Sequence, residues 1–293
     1  MRKIFEGIKE IEIVENFPLN KISSIGIGGK IKYLLKVKNK NSLPILKEAI
    51  EKEKIKYIFV GKLTNILFPD GYLDGAAIQY QDNFFEQLEE EPPIVKIGAG
   101  ISLTNLILKL QNLSFSGLEP LIGIPGSLGG AVKMNAGAFG VSIANFIKEI
   151  EVFSFKEGFK ILKKEEINFD YRYSSIKDEE LIVSVILILK KENEKFLIAK
   201  YLEKRNEKFP KGKSLGCVFK NPNDFPAGRL IENAGLKNFR VGDAVVSAQH
   251  ANFIINIKKA RFLDVYELIH IIKEKVYKKF NILLEEEIKI VDF

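Results

Sequence analysis

A chain of 293 residues is long enough to bury a sizeable core and to divide into two or three domains. Hydrophobic residues make up 46% of it and charged residues 28%. No apolar run approaches the ~18 residues of a bilayer span, and charges interrupt MRKIFEGIKEIEIVENF where a secretory signal needs an apolar stretch, so a cytoplasmic protein without membrane insertion is expected. The net charge of +7 comes mainly from lysines scattered among glutamates, with only six arginines among 45 positive residues and no basic block, which argues against a nucleic-acid partner. One cysteine forbids an internal disulfide, and two histidines, His250 and His270, have no zinc-binding spacing, so no metal site is expected.

In chain order, KIKYLLKVK (residues 30–38) reads as a strand, Ser42 caps a helix that has Pro44 near its start, and KYIFVG (56–61) is a short apolar strand, together a small βαβ-like unit. AAIQY and PIVKIGAG read as strands separated by an acidic EQLEEEPP turn, and SLTNLILKLQNLSF (102–115) as a capped amphipathic helix. GLEPLIGIPGSLGGAVKMNAGAFG (117–140) holds seven glycines in 24 residues, a density that permits sharp turns and close approach of backbone N–H groups to a ligand. EIEVFSF and LIVSVILILKK are strands, the second apolar through its centre and hence buried on both faces. FLIAKYLEKRNEKFP is helical, AGRLIENAGLK is a helix stopped by Gly235, and HANFIINIKKA is a strand. FLDVYELIHIIKEKVYKKF is a long amphipathic helix, and ILLEEEIKIVDF closes the chain as a strand. The last hundred residues therefore form an α+β unit distinct from the glycine-rich middle.

Two familiar nucleotide motifs are absent. Gly212-Lys213-Ser214 lacks the earlier glycine of a phosphate-binding P-loop, because Glu207 stands in its place, and Gly126-Ser-Leu-Gly129-Gly130 has the wrong spacing for a dinucleotide fingerprint. VGKLTNIL (60–67) and GIPGSLGGAVKMNAGAFG (123–140) instead combine glycines with small hydroxyl and amide residues, a donor set suited to a pyrophosphate, although glycines at this density also serve ordinary tight turns.

GLEPLIGIPGSLGGAVKMNAGAFG resembles the flavin-binding segment of the UDP-N-acetylenolpyruvoylglucosamine reductase (MurB) family. SSIGIGG (23–29) is similar to that family's opening motif, FDYRYSSIK (169–177) to its Tyr-Arg-x-Ser motif and GCVFKNP to its catalytic loop. AGRLIENAGLK, SAQHANFIIN and LEEEIKI follow in the family's order. The likeness runs from about residue 17 to the end, and the compact length after the Tyr-Arg motif resembles the family's shorter subtype. It implies an α+β fold: a two-lobed FAD-binding fold of the vanillyl-alcohol-oxidase/PCMH type plus a C-terminal α+β substrate-binding domain. The expected boundaries are residues 1–60 for an N-terminal FAD-binding lobe, 61–191 for a glycine-rich FAD-binding lobe and 192–293 for the substrate-binding domain.

The resemblance further implies FAD held noncovalently, NADPH as hydride donor and UDP-N-acetylglucosamine enolpyruvate as substrate in cytosolic peptidoglycan precursor synthesis. Carried over residue by residue, the cofactor positions are Gly61, Lys62, Leu63, Thr64, Asn65, Gly123, Ile124, Pro125, Gly126, Ser127, Gly130, Asn135 and Gly137. Tyr171, Lys208, Asn221 and His250 match substrate-binding positions, His250 having a satisfied core histidine as its alternative. Arg172 matches the catalytic arginine, whose planar guanidinium suits a carboxylate, and Glu287 the catalytic glutamate, with Glu285 and Glu286 as neighbours. Cys217 stands at the proton donor, where most members carry serine. By residue type alone it would be a small buried hydrophobe, but an ordinary thiol, with a pKa near ~8.5, releases a proton far more readily than a hydroxyl. The first flavin loop departs from the family's Gly-x-Gly-Ser-Asn at Leu63 and Thr64, and Leu63 must avoid positive φ or bear its cost. Two alternatives stay open: a flavin oxidase of the same wider fold acting on a sugar or lactone, and a flavin- or nucleotide-sugar-binding relative without catalysis.

Overall fold

The computed structural model describes residues 4, 5, 7–88, 90–192, 194–222 and 225–292. In its first half the strands are β1 (Ile11–Pro18), β2 (Lys30–Val37), β3 (Tyr57–Val60), β4 (Ile66–Leu67), β5 (Tyr72–Tyr80), β6 (Phe85–Leu88), β7 (Ile94–Gly98), β8 (Phe115–Ser116), β9 (Gly137–Ala138) and β10 (Val141–Ser142). They continue with β11 (Ile147–Ser154), β12 (Gly158–Lys163), β13 (Phe169–Asp170), β14 (Tyr173–Ser174), β15 (Glu180–Ile188), β16 (Lys190–Lys191), β17 (Arg240–Val241), β18 (Ala244–Val246), β19 (Ile254–Asn256) and β20 (Lys289–Ile290). The α-helices are α1 (Leu43–Lys52), α2 (Leu103–Asn112), α3 (Leu128–Lys133), α4 (Lys195–Lys208), α5 (Ala227–Asn233) and α6 (Phe262–Phe280). None among the described residues is long and apolar enough to cross a membrane.

Contacts divide the chain into two units. The first comprises Met1–Asn16, Lys32–Lys62 and Asp74–Glu203, and the second Phe17–Ile31, Leu63–Leu73 and Lys204–Phe293.

The first unit is built on two sheets, ordered β1-β2-β5-β3 and β12-β11-β15-β7-β6. β15 pairs antiparallel with both β11 and β7, and residues 181–185 are buried without a break. The continuous apolar run LIVSVILILKK thus reflects a central strand covered on both faces. Its one polar interior residue, Ser184, donates to Glu151 at 3.2 Å, and Lys40 pairs with the same carboxylate at 2.7 Å, so the buried polar groups are satisfied. α1 buries Leu43, Leu46 and Ile50, and α2 buries Leu103, Leu106, Ile107 and Leu110. Each such side chain contributes roughly 1.5–3 kcal/mol when removed from water.

The second unit has its own core, in which Ile25, Ile27 and Leu67 from the early chain join residues from Leu215 onward. α6 matches the sequence expectation end to end and turns Val265, Leu268, Ile269, Ile272 and Val276 inward. It stops at Asn281, whose left-handed backbone (φ 55°) ends the helix as asparagine and glycine commonly do. β17-β18-β19 form a small antiparallel sheet, and β20 pairs in parallel with β4.

Two local expectations are corrected. Ser42 does not cap α1: a short 3₁₀ turn precedes the helix, Asn39 accepts the Asn41 N–H, and the Ser42 hydroxyl donates instead to the Lys9 carbonyl. The EQLEEEPP segment is not all turn, because Phe85–Leu88 pairs with β7 as the sheet's edge strand β6. An edge strand can carry the charge of Glu86 because one side of it faces solvent.

The second unit's early segments contain one close main-chain approach and one left-handed leucine. Gly29 lies against Gly71 so tightly that a Cβ would sit 2.1 Å from the Gly71 carbonyl oxygen. Leu63 adopts φ 50° although it is 1% exposed. Its left-handed conformation costs roughly 1–2 kcal/mol, whereas truncating a buried leucine costs about 2–5 kcal/mol, so burial outweighs strain. Two outcomes follow for urea denaturation. Gly29→Ala, blocked by main chain that cannot swing aside, should lose about 3 kcal/mol or more, against about 1 kcal/mol for Gly158→Ala, where φ is 74° but nothing lies within 4 Å. Leu63→Gly should destabilise by about 1–3 kcal/mol, and a gain in stability would show that strain, not burial, dominates there.

Candidate active site

In the first unit the flavin-type segments are drawn together by main-chain bonds. The Leu128 and Gly129 N–H groups donate to the Ile101 and Ala99 carbonyls at 2.8 and 2.9 Å, and Leu103 N–H donates to Gly126 O at 3.2 Å. These fasten residues 126–129 onto residues 99–103. Ser127 caps α3, its Oγ accepting from Gly130 N–H at 3.3 Å. Gly61 approaches the same serine: a Cβ at position 61 would lie 2.9 Å from Ser127 Oγ. Gln79 Nε2 donates to the Gly61 carbonyl at 2.6 Å and holds that turn in place. Gly61, Gly126, Ser127 and Gly130 thus occupy one locality, and residues 60–62 and 123–130 contain no acidic side chain. A cradle of small residues and hydroxyl and backbone groups, without a repelling carboxylate, fits a pyrophosphate-bearing flavin.

Next to this cradle stands the hairpin of β13 and β14, in which Asp170 pairs with Tyr173 and Tyr171-Arg172 form the turn. Arg172 takes φ 54°, and its guanidinium lies 5.2 Å over the Tyr171 ring. The hairpin is fixed from below: Asn135 Nδ2 donates to the Asp170 carbonyl at 2.8 Å, Ser174 Oγ donates to the Lys133 carbonyl at 2.7 Å, and Lys133 pairs with Asp178 at 3.1 Å. Asn135 Oδ1 also accepts from Ala144 N–H at 3.3 Å, so this amide, expected at the cofactor, organises the loop that carries Arg172. A Cβ at Gly137 would lie 3.1 Å from the Val141 carbonyl oxygen and in ordinary contact, at 3.5 Å, with Arg172 Nη1, which places this glycine beside the guanidinium. An arginine held in the left-handed region by several hydrogen bonds is the kind of strain that functional sites retain.

In the second unit, half-buried Cys217 forms a bridge with Phe253. On the other side of the same strand, Glu287 N–H donates to Val218 O at 2.7 Å, and Lys220 N–H to Glu285 O at 2.9 Å. Cys217 and Glu287 are therefore carried by adjoining main chain. Of the three clustered glutamates, Glu285 pairs with Lys220 at 3.4 Å and Glu286 with Lys273 at 2.8 Å, which gives both a structural role. Asn65 connects this pair to the first flavin loop: its Nδ2 donates to Glu287 O at 3.0 Å, and its carbonyl accepts from Lys289 N–H at 2.9 Å. Ser24 ties down the strained residue 63, its N–H donating to Leu63 O at 3.2 Å and its Oγ to Ser214 O at 2.6 Å.

The ring of His250 lies 5.5 Å from that of Phe209 and 5.2 Å from that of Phe253, Cys217's bridging partner, and Lys208 Nζ is 5.6 Å from the Phe209 ring. Lys208 and His250 thus share an aromatic cluster that reaches the Cys217 strand. Burial first, and the nearby Lys208 charge second, hold the His250 imidazole below its ordinary value, and its Nδ1 is buried without a hydrogen-bond partner. Asn221 Oδ1 accepts from Ala227 N–H at 2.9 Å, at the start of α5.

By unit, Gly61, Lys62, Gly123, Ile124, Pro125, Gly126, Ser127, Gly130, Asn135, Gly137, Tyr171 and Arg172 fall in the first, and Leu63, Thr64, Asn65, Lys208, Cys217, Asn221, His250 and Glu287 in the second. Sequence reasoning missed Ser24, Gln79 and Asn252, the last 2% exposed and bonded to the strand after Cys217. For Asn252 a signal existed: an asparagine in the apolar stretch HANFIIN must be hydrogen-bonded if buried.

Residues 31–158 match the FAD binding domain family, and residues 207–291 match the UDP-N-acetylenolpyruvoylglucosamine reductase, C-terminal domain family. A UDP-N-acetylenolpyruvoylglucosamine reductase of Thermotoga sp. (strain RQ2) is 39% identical over 99% of this chain and 98% of its own. That of Fusobacterium nucleatum is 36% identical over 96% of this chain and 100% of its own. The crystal structure of UDP-N-acetylenolpyruvylglucosamine reductase (MurB) from Thermus caldophilus superposes with a TM-score of 0.82 at 33% identity, covering 96% of this chain and all of that one. The fold is accordingly an α+β fold in which a FAD binding domain is followed by a C-terminal α+β domain of the reductase type. With a match of this identity over nearly its whole length, the chain belongs to the UDP-N-acetylenolpyruvoylglucosamine reductase (MurB) family.

Proposed function

We propose that the chain reduces the enolpyruvyl ether of UDP-N-acetylglucosamine enolpyruvate to the lactyl ether, as a cytoplasmic step of peptidoglycan precursor synthesis, with Arg172, Cys217 and Glu287 as its catalytic residues. The observation that carries the reading is the 2.7 Å bond from Glu287 N–H to Val218 O, which sets the expected acid next in sequence register to the expected proton donor. Residues 1–60 and 61–191 serve as the flavin lobes and 192–293 as the substrate-binding part.

Gly61, Gly126, Ser127 and Gly130 would hold FAD, which when bound would supply the hydride chemistry linking NADPH to the enolpyruvyl β-carbon. It is held noncovalently, as His250, His270 and Cys217 all lie outside the first unit. Arg172 can bind the substrate carboxylate in two parallel hydrogen bonds and stabilise the negative charge that spreads into it as the new C–H bond forms. Glu287, carrying a proton, shares that stabilisation. Cys217 passes its thiol proton to the α-carbon, so that hydride and proton together saturate the double bond, and the thiolate regains a proton from water. Lys208, Asn221, Tyr171 and His250 hold the nucleotide-sugar, the cation of Lys208 suiting its diphosphate.

NADPH oxidation dependent on the enolpyruvyl sugar nucleotide tests the assignment. Cys217→Ser should retain substantial activity and lose the alkaline limb that an ionising thiol imposes, whereas Cys217→Ala should fall by about 10²–10⁴-fold. Unchanged turnover in Cys217→Ala would remove Cys217 from the mechanism. Arg172→Lys should lose most of kcat, because a point charge replaces a bidentate fork.

A pH-dependent stability follows from His250. Its folded-state value lies below 6.5, so the folded protein takes up this proton less readily than the unfolded chain. The stability associated with neutral His250 is complete above 6.5 and is lost as pH falls below it. Urea midpoints at about pH 7 and about pH 5 should therefore differ less in His250→Gln than in the wild type.

A further inference from the structure

Asn252 is 2% exposed, and its carboxamide makes two hydrogen bonds to a single residue of the Cys217 strand. Phe219 N–H donates to Asn252 Oδ1 at 2.9 Å, and Asn252 Nδ2 donates to Phe219 O at 2.8 Å. In addition, Val218 N–H donates to the Asn252 main-chain carbonyl at 2.8 Å. The side chain thus acts as a substitute peptide group, continuing a ladder that the main chain starts with the Cys217 and Phe253 bridge. Residues 217–220 form a short extended strand segment outside β1–β20, paired on each side through single bridges. One side faces Asn252 and Phe253, and the other faces the closing segment, through Glu287 N–H to Val218 O, the bridge of Phe219 with Glu286, and Lys220 N–H to Glu285 O.

We infer that Asn252 is a positioning residue for the reaction: its buried carboxamide sets the register of the strand that carries Cys217 against the segment that carries Glu287. This rests on the proposed roles of those two residues. The amide needs both of its ends, because an acceptor alone leaves the Phe219 carbonyl buried without a donor, and a donor alone leaves its N–H unpaired. A carboxamide meets both requirements in one plane, which serine, aspartate or alanine cannot. Cys217 lies two residues from the anchored Phe219, so a slip there moves the thiol directly. Displacement of a reacting group by about 1 Å can lower a rate by about 10²-fold.

The two halves of the catalytic cycle separate positioning from general damage. Hydride transfer from NADPH does not require the Cys217 proton, whereas reoxidation by the enolpyruvyl nucleotide does. In stopped-flow measurements on the flavin-loaded enzyme, Asn252→Ala and Asn252→Asp should be reduced by NADPH within about twofold of wild type and reoxidised about 10²-fold more slowly. Leu268→Ala, in the fully buried face of α6 in the same unit, serves as the control: it lowers the melting temperature but should leave both half-reactions in place. Because Cys217 is the chain's one cysteine, its alkylation by iodoacetamide across pH gives a second readout that needs neither flavin nor turnover. The Asn252 variants should shift that rate several-fold under folded conditions, and Leu268→Ala should not. Should Asn252→Ala fail to fold, Asn252→Asp, which keeps the acceptor for Phe219 N–H, carries the test.

Reoxidation and alkylation both within about twofold of wild type in a folded Asn252 variant would overturn the inference, as would an equal loss of reoxidation in Leu268→Ala. Normal reoxidation by Cys217→Ala would instead remove the proton-donor assignment. In that case a shifted alkylation rate in the Asn252 variants would still establish that Asn252 holds the strand.

Discussion

The main-chain hydrogen bond from Glu287 N–H to Val218 O is the constraint on which the juxtaposition of the Cys217 and Glu287 segments in the second unit depends. It joins residues 69 positions apart in sequence, and only because both segments are extended can each turn its N–H and C=O groups toward the other. Around it, Asn65 bonds to the main chain on either side of Ile288, and Ser24 ties Leu63 to Ser214. Three stretches of chain, Phe17–Ile31, Leu63–Leu73 and Lys204–Phe293, are thereby assembled into one unit. Ile25, Ile27 and Leu67 contribute to its core, so the assembly is held by apolar burial as well as by the polar web.

The first unit solves a different problem, how to present backbone groups to an anion without burying them unsatisfied. Residues 126–129 are sewn onto residues 99–103 by main-chain bonds, and Ser127 both caps α3 and lies against Gly61. Gly61 lets the chain approach Ser127 more closely than a Cβ would allow without a shift, since a Cβ there would lie 2.9 Å from Ser127 Oγ. A little farther along, the strained Arg172 is held by its hairpin, which Asn135 and Ser174 attach to the end of α3. Rigid support of this kind bears local strain and holds the hairpin that carries the guanidinium in one conformation.

Polar side chains here divide into those paired with other charges and those bonded to main chain. Glu285 and Glu286 have lysine partners on the surface, while Asn135, Asn252 and Asn65 spend their amides on main chain. An asparagine can replace a missing strand neighbour because its carboxamide is a peptide group on a short stem. That explains why these side chains occur where a ladder ends and a loop must nevertheless keep its register.

Much of this was legible in the sequence. α6 and the central β15 announced themselves through period and through an unbroken apolar run, because burial on one face or two dictates which residues are tolerated. The order of the glycine-rich, Tyr-Arg and GCVFKNP motifs indicated the family, and the near-full-length relatives agree with it. Short elements were less visible: β20 and β19 occupy only part of the apolar stretches that contain them, since strand length is set by the partner and not by the strand itself. The sequence by itself determined the fold class and the family, because these follow from residue type, motif order and local spacing. Only the tertiary structure decided that Leu63 would accept positive φ, that Ser42 would leave α1 uncapped and that Asn252 would grip Phe219. Each of those outcomes depends on which distant segment supplies burial or a hydrogen-bond partner, and that information is not carried by any local pattern.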